Sequence, residues 1–296
     1  MVTLLALMAA SFLSETRTQA LATLNRVEAA EAEAAADAAV RWTVHQLLDG
    51  RQSTNADLAA NRRAVPVDGR PFTWTFGAAA DPEARGVDVE IRVRDETGKI
   101  DLNIVGADIL AGLFRELGAD ADRARSLAAH VVDFRDSDGD PRPAGGERRA
   151  YTRAGLPYGP KNSPFESVAE LAQVMGITHR MVRELRPHVT VVSGAPAVDP
   201  RVASAATLAA LPGVSPDRAR AYVATRREAP VRTPPTPPSG PAFARTPADS
   251  YAIRARARTP DGAVFVREAV VELQRRSPES PFTFRIWRQR MRGAGT

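Results

Sequence analysis

The sequence contains no cysteine. A disulfide scaffold, a cysteine-based zinc site and a thiol nucleophile are therefore excluded. Histidine is scarce too. It occurs at 45, 130, 179 and 188, never paired at short spacing, so a histidine-rich metal site is not expected. Aromatic residues are 6% of the chain, which gives no support for a glycosidase cleft lined by sugar-stacking rings. There is no glycine-rich phosphate loop of the P-loop or Rossmann type and no nucleophile elbow. The apolar run at residues 1–13 (MVTLLALMAASFL) is also short. As a helix it would reach about 20 Å, whereas a bilayer core takes about 20 apolar residues. It has no basic flank of the kind that opens a secretory signal.

What is present is a chain of 296 residues, 44% hydrophobic and 25% charged. That suits one large domain or two modest ones with an ample core, and neither a disordered nor a polytopic protein. The formal charge of +5 suggests an anionic partner, so its location matters. Residues 250–296 hold ten arginines against four acids, +6, which leaves −1 for residues 1–249. The excess is local to the C-terminal segment.

Residues 14–48 carry no proline or glycine, and Leu21, Leu24, Val27, Val40, Val44, Leu47 and Leu48 recur at helical spacing. The apolar run thus becomes the exposed half of one long helix whose second half is amphipathic, as suits a membrane or filament anchor leading into a packed head. Phe72–Phe76 and Val87–Val93 alternate with period two and are expected as strands, joined by a turn with Asp81-Pro82 and Gly86. From 101 to 230 helical patterns dominate, with Val189–Val192 the main exception. A stretch with seven prolines, 230–247, must be extended or looped. Strand patterns return at Tyr251–Ala257, Ala263–Leu273 and Phe282–Trp287, the first two joined by the hairpin signal Thr259-Pro260-Asp261-Gly262. The expected layout is α+β: an N-terminal helix (1–49), a first part of an antiparallel sheet (50–100), an inserted all-helical domain (101–230), a proline-rich linker (231–248) and the rest of the sheet (249–296). The terminal arginines alternate with apolar positions and are most simply the solvent face of that sheet.

A weak repeat runs through the helical block. Leu110-x-x-Leu113 leads to Gly118, Leu171-x-x-Val174 to Gly176, and Leu208-x-x-Leu211 to Gly213, each followed by a second helical pattern. This has helix-hairpin-helix character. The third copy, with Arg218, Arg220, Arg226 and Arg227, is compatible with DNA phosphate binding, or simply with compact packing of two helices.

The most chemically specific stretch runs from Asp133 to Glu147. Asp136, Asp138, Asp140 and Glu147 fall at positions 1, 3, 5 and 12 of a calcium loop, although position 6 is Pro141 where an EF-hand has glycine. The loop either binds calcium or is neutralised by Arg135, Arg142, Arg148 and Arg149. Gly155–Phe165 is a rigid turn, and Glu166 and Glu170 open a helix at its favourable end for negative charge.

Taken in order, several segments resemble the minor pseudopilin K family of bacterial type II secretion. They are Ala10-Ser11-Phe12; Val93 through Asn103; Asp133-Phe134-Arg135-Asp136 with Gly146-Glu147 and Tyr151; Gly155 through Phe165; Pro187 through Val191; and Leu211-Pro212-Gly213. The resemblance implies a pseudopilin fold, a long helix on an antiparallel sheet with a large helical domain inserted between strands. It implies no enzymatic activity. It implies a single-pass inner-membrane subunit with its globular part in the periplasm, at the tip of the pseudopilus with other minor pseudopilins. The family's calcium binding carries over to Asp133, Asp136, Asp138, Asp140 and Glu147 as candidates. Members of the family begin with a short basic leader ending in glycine, whereas this sequence begins inside the hydrophobic helix. The rival from another class is a membrane-anchored helix-hairpin-helix DNA-binding protein.

Overall fold

The computed structural model describes residues 2–52, 65–77, 86–228, 235–238, 240, 242–243, 249–274 and 279–290, with the side chains of 2–11, 13–14 and 50–52 outside that description. The expected Asp81-Pro82 turn and several of the linker prolines lie outside the described residues. The chain forms two compact units, Met1–Val93 with Ala252–Thr296, and Arg94–Tyr251.

In the first unit, α1 runs unbroken over Val2–Gln52. An alanine-rich sequence without interior glycine or proline favours that length. Ala32, Ala35, Ala36, Ala39, Val40, Thr43, Val44 and Leu47 form one buried stripe, recurring at the three- and four-residue spacing of one helix face. Earlier in the helix the pattern inverts: Phe12, Leu21, Leu24 and Val27 are all exposed. The second half of α1 packs on a five-stranded sheet of β1 (Asp68–Phe76), β2 (Val87–Asp95), β5 (Ser250–Arg258), β6 (Val264–Leu273) and β7 (Phe282–Gln289), in the order β1-β2-β5-β6-β7. Its central strands alternate buried and exposed positions, the mark of one covered face. The β5–β6 turn is closed by a Thr259 hydroxyl that accepts from the Ala263 N–H and by Gly262 at φ 101°. The last two strands pair antiparallel from Arg267 opposite Gln289 to Leu273 opposite Phe282, with a bulge at Val270/Val271.

One expectation for the terminal arginines needs correction. Arg267 does not lie on the solvent face. It shares the covered face of β6 with Phe265, Ala269, Val271 and Leu273, and its side chain is only 8% exposed. Glu33 and Asp37 of α1 pair with it at 2.8 and 2.5 Å, and its guanidinium lies over the rings of Phe265 and Trp287. A cation there is tolerable because two carboxylates and two ring faces replace its water. On the opposite flank Trp42 stacks on Trp74 at 5.1 Å and approaches Phe72.

The second unit is mainly helical. Its elements are β3 (Ile100–Asp101), α2 (Ala107–Glu116), α3 (Ala121–Arg135), α4 (Arg148–Arg153), α5 (His179–Leu185), β4 (Val189–Thr190), α6 (Ala205–Ala209) and α7 (Pro216–Glu228). Short strands β3 and β4 pair in parallel. Leu110, Leu113, Phe114, Leu127, Phe134, Leu171, Leu185 and Leu208 form its core. Each turn of the sequence repeat has glycine at positive φ: Gly118 at 94°, Gly176 at 83° and Gly213 at 81°. The middle copy begins with a 3-10 helix, Val168–Gln173, rather than an α-helix. Glu170 closes that start, accepting from the backbone of Glu166 and Ser167. This unit also takes in part of the proline-rich stretch: Pro238 is buried, and Ala242 accepts from the Val198 N–H at 3.0 Å.

At the entry to this unit Asp95 is buried and accepts from both the N–H and the hydroxyl of Thr97. Burial pushes its carboxyl from the ordinary 3.8 up to about 6, despite those two donors. The unfolded chain ionises first, so the folded state holds the extra proton between these values. Stability on this account falls as pH rises from about 4 to about 6, by on the order of 2–3 kcal/mol. Asparagine retains the acceptor and cannot ionise. In urea unfolding, Asp95→Asn should match the parent at the acid end and exceed it in stability near neutrality.

Candidate functional site

The carboxylates of 133–147 gather at the C-terminal end of α3. The helix stops at Asp136, whose N–H donates to the Val132 carbonyl at 3.0 Å. Free helix carbonyls already make this end negative, so carboxylates added here oppose local electrostatic preference and favour a cation. Asp133 has no exposed surface. Its Oδ2 accepts from the backbone N–H of Arg142 at 3.2 Å and of Gly146 at 2.9 Å, which folds the loop back onto the helix. A Cβ on Gly145 would fall inside the Asp133 carboxylate, and one on Gly146 would meet Met175 Cε and the His130 ring. At Gly145 only glycine permits that approach, whereas at Gly146 the flexible end of Met175 would have to shift.

Glu147 occupies the N-cap of α4, yet its side chain caps nothing. It turns instead towards Asp136 and Asp138, and one oxygen from each of the three lies within 4.8 Å of the others. Asp140 is exposed and outside this group; its N–H donates to Asp138 Oδ1 at 3.0 Å. Of the five sequence candidates, then, three converge, Asp133 lies at the buried base of the loop, and Asp140 stands apart.

Asn162 is a residue that spacing arguments missed. Its backbone is left-handed, φ 52°, a conformation asparagine tolerates better than most residues. Its N–H donates to the Phe134 carbonyl and its Nδ2 to the Asp138 carbonyl, both at 2.9 Å, which ties the Lys161-Asn162 turn to the carboxylate loop. Among the described residues, four buried side-chain oxygens here have no hydrogen-bond partner, Asp133 Oδ1, Asp136 Oδ1, Glu147 Oε1 and Asn162 Oδ1, although Arg142 Nε lies 3.5 Å from the first. Each such orphan costs about 1–3 kcal/mol unless something completes it.

Among the described residues, one of the four neutralising arginines expected from the sequence forms ion pairs with the cluster. Arg142 reaches Asp133 at 3.5 Å and Asp136 at 3.4 Å. Arg135 donates to the carbonyls of Leu102 and Val105. Among the described residues Arg148 and Arg149 form no ion pair with the cluster. Burial, then the charges of Asp133, Asp136 and Asp138, hold Glu147 above its ordinary range. Burial also raises Asp133, against two backbone donors. The donor set is entirely oxygen, as hard divalent cations such as calcium require.

The third hairpin is less suited to phosphate than its sequence suggested. Arg220 pairs with Asp217, and Arg226 is buried, donating to the Pro200 carbonyl at 2.7 Å.

In a chelating buffer the carboxylates repel one another, with Arg142 the guanidinium that pairs with them among the described residues. Glu147→Gln, nearly isosteric, should then raise the melting midpoint by about 1–4 °C. A lowered midpoint in that buffer would mean that the charge of Glu147 is already compensated.

Residues 96–194 match the family described as "Type II secretion system (T2SS), protein K". The type II secretion system protein K of Pectobacterium carotovorum subsp. carotovorum is 34% identical over 83 residues, 28% of this chain and 25% of that protein. The matched stretch thus spans about a quarter of that relative's length. Among solved structures, a chain of the GspK-GspI-GspJ complex from the enterotoxigenic Escherichia coli type 2 secretion system shares the fold at TM-score 0.55 and 16% identity, over 94% of this chain and 99% of that one. The fold of this chain that the comparison matches is the α+β arrangement described above, a long N-terminal helix on an antiparallel sheet with a helical unit inserted between strands. Residues 96–194, within the inserted unit, are thus similar to the type II secretion system protein K family, and the chain as a whole shares the fold of the solved structure.

Proposed function

We propose that the protein is a structural, non-catalytic minor pseudopilin at the tip of a type II secretion pseudopilus, supporting protein export across the outer membrane. The observation that carries this reading is the division of α1. Its second half is buried along one stripe against the sheet, whereas Phe12, Leu21, Leu24 and Val27 project apolar surface into solvent. A continuous helix with that exposed stripe suits side-by-side packing with the helices of other minor pseudopilins. The solved relative was crystallised in a complex named GspK-GspI-GspJ, which fits the same kind of partner. Among the described residues no helix is long and apolar enough to cross a membrane. The proposed inner-membrane anchor is the N-terminal part of α1, with the globular part in the periplasm. The inserted unit, Arg94–Tyr251, adds bulk that a repeating filament subunit would not need, which suits a cap.

We also propose that the carboxylate loop holds a structural calcium ion. Asp136, Asp138 and Glu147 would ligate it, with the Asn162 side-chain oxygen beside them and Asp133 holding the loop backbone. The bound ion would neutralise the converging charge and fix the Asp136–Glu147 loop. It has no catalytic part in this proposal.

Isolation of the protein with its neighbours tests the assignment. Small pilin-like subunits should co-purify, and substituting Leu21 and Leu24 with glutamate should release them without unfolding the globular part. Absence of such subunits, together with duplex DNA binding that weakens steeply with salt, would overturn the assignment in favour of the DNA-binding alternative.

A further inference from the structure

The positive charge of the C-terminal segment is not spread evenly over the sheet. On β7 and just beyond it, Arg285 pairs with Glu272, while Arg288 and Arg290 share Glu268. On β5 the situation differs. Arg254, Arg256 and Arg258 occupy alternate positions opposite the buried Ile253, Ala255 and Ala257, so all three project from the uncovered face. Arg254 and Arg258 are exposed and Arg256 is half-buried. None of the three has an ion pair or hydrogen bond from its side chain to a described residue.

The carboxylates on the flanking strands are already engaged. On β2, Asp88 accepts from the Thr75 hydroxyl and Glu90 pairs with Arg92. On β6, Glu268 and Glu272 hold the arginines just described. Like charges repeated along one strand face are unfavourable without a counter-charge. Protection of a sheet edge does not explain them, because β5 is the central strand.

We propose that Arg254, Arg256 and Arg258 form a docking strip for an acidic, extended segment of a protein partner. Alternate residues of a strand are about 6.8 Å apart, and an extended segment with carboxylates at every second residue has the same repeat. Guanidinium and carboxylate then meet in register, with bidentate geometry available to each pair. A duplex or an anionic bilayer fits less well. The three arginines are flanked by carboxylates, Asp88 and Glu90 on β2 and Glu268 and Glu272 on β6, and the further outward cations of β2 are Arg92, which pairs with Glu90, and Arg94 at the end of the strand. The neighbouring outward positions on β5 and β6, Ala252, Val264 and Val266, offer no ring on which a base could stack. This proposal does not rest on the tip assignment.

The test uses the full chain and a fluorescent peptide of alternating glutamate and threonine, about twelve residues long. Anisotropy is read at about 20 mM and about 150 mM salt. Binding should be seen at low salt, weaken at the higher salt, and fall at least about tenfold when Arg254, Arg256 and Arg258 are all changed to glutamine. Arg288→Gln, which removes a paired arginine, should bind within about twofold of the parent. Because the three side chains are outward, the triple variant should keep its melting midpoint; Arg254→Gln alone, with a smaller loss of binding, serves if it does not. No peptide binding, equal loss in Arg288→Gln, or tighter binding of duplex DNA or phosphatidylglycerol vesicles than of the peptide would each overturn the proposal.

Discussion

The inserted unit is organised around negative charge placed where water is scarce and helix electrostatics are unfavourable. Asp133 is fully buried in the last turn of α3, and Asp136, Asp138 and Glu147 converge just beyond it. Much nearby structure follows from accommodating them. Gly145 admits no Cβ because one would strike the Asp133 carboxylate, and Gly146 packs closely against Met175 and His130. Asn162 adopts a left-handed backbone and ties its turn to Phe134 and Asp138. Tyr151 of α4 is buried behind the loop and accepts from the Met175 N–H at 3.1 Å. Its phenol is pushed up to about 12, chiefly by burial, and therefore stays neutral. Among the described residues one guanidinium, that of Arg142, forms ion pairs with the cluster, while that of Arg135 acts on Asp136 from a greater distance. A cation ligated by several of these oxygens would make the same geometry favourable rather than costly.

The first unit handles a buried charge in the opposite way, completing it internally. Arg267 on the covered face of β6 is matched by Glu33 and Asp37 of α1 and lies over two aromatic rings. Removing one partner of such a group leaves an uncompensated buried charge, typically a loss of about 3–5 kcal/mol. The pairing therefore fixes where along the sheet α1 docks. With its second half committed in this way, the helix presents Phe12, Leu21, Leu24 and Val27 to solvent. That is the physical basis for reading α1 as both a core element and an assembly surface.

Much of this was legible in the sequence where periodicity is strong. Val87–Asp95 and Ser250–Arg258 alternate cleanly, and α1 has no breaker, so their type and extent followed from pattern. The positions of Gly118, Gly176 and Gly213 marked helix ends because only left-handed backbone explains glycine there. Arg267 was not legible, since an arginine in an alternating strand is normally outward and its counter-charges lie in α1, far along the chain. The carboxylate cluster was legible as a group, but its internal roles were not. Linear spacing gave Asp140 the same standing as Asp136, Asp138 and Glu147, and only the fold of the loop distinguishes the three that converge. Asn162 carried no spacing signal, because the helix end that brings it to Asp138 is a tertiary contact.

The central claim is that the converging oxygens of the inserted unit are completed by a divalent cation. Calorimetric titration of calcium into protein stripped with chelator, with Glu147→Gln alongside, tests it most directly. A saturable binding event in the parent, weakened by at least about tenfold in the variant, is the predicted result. No heat of binding in the parent, or the same affinity in both proteins, would contradict it.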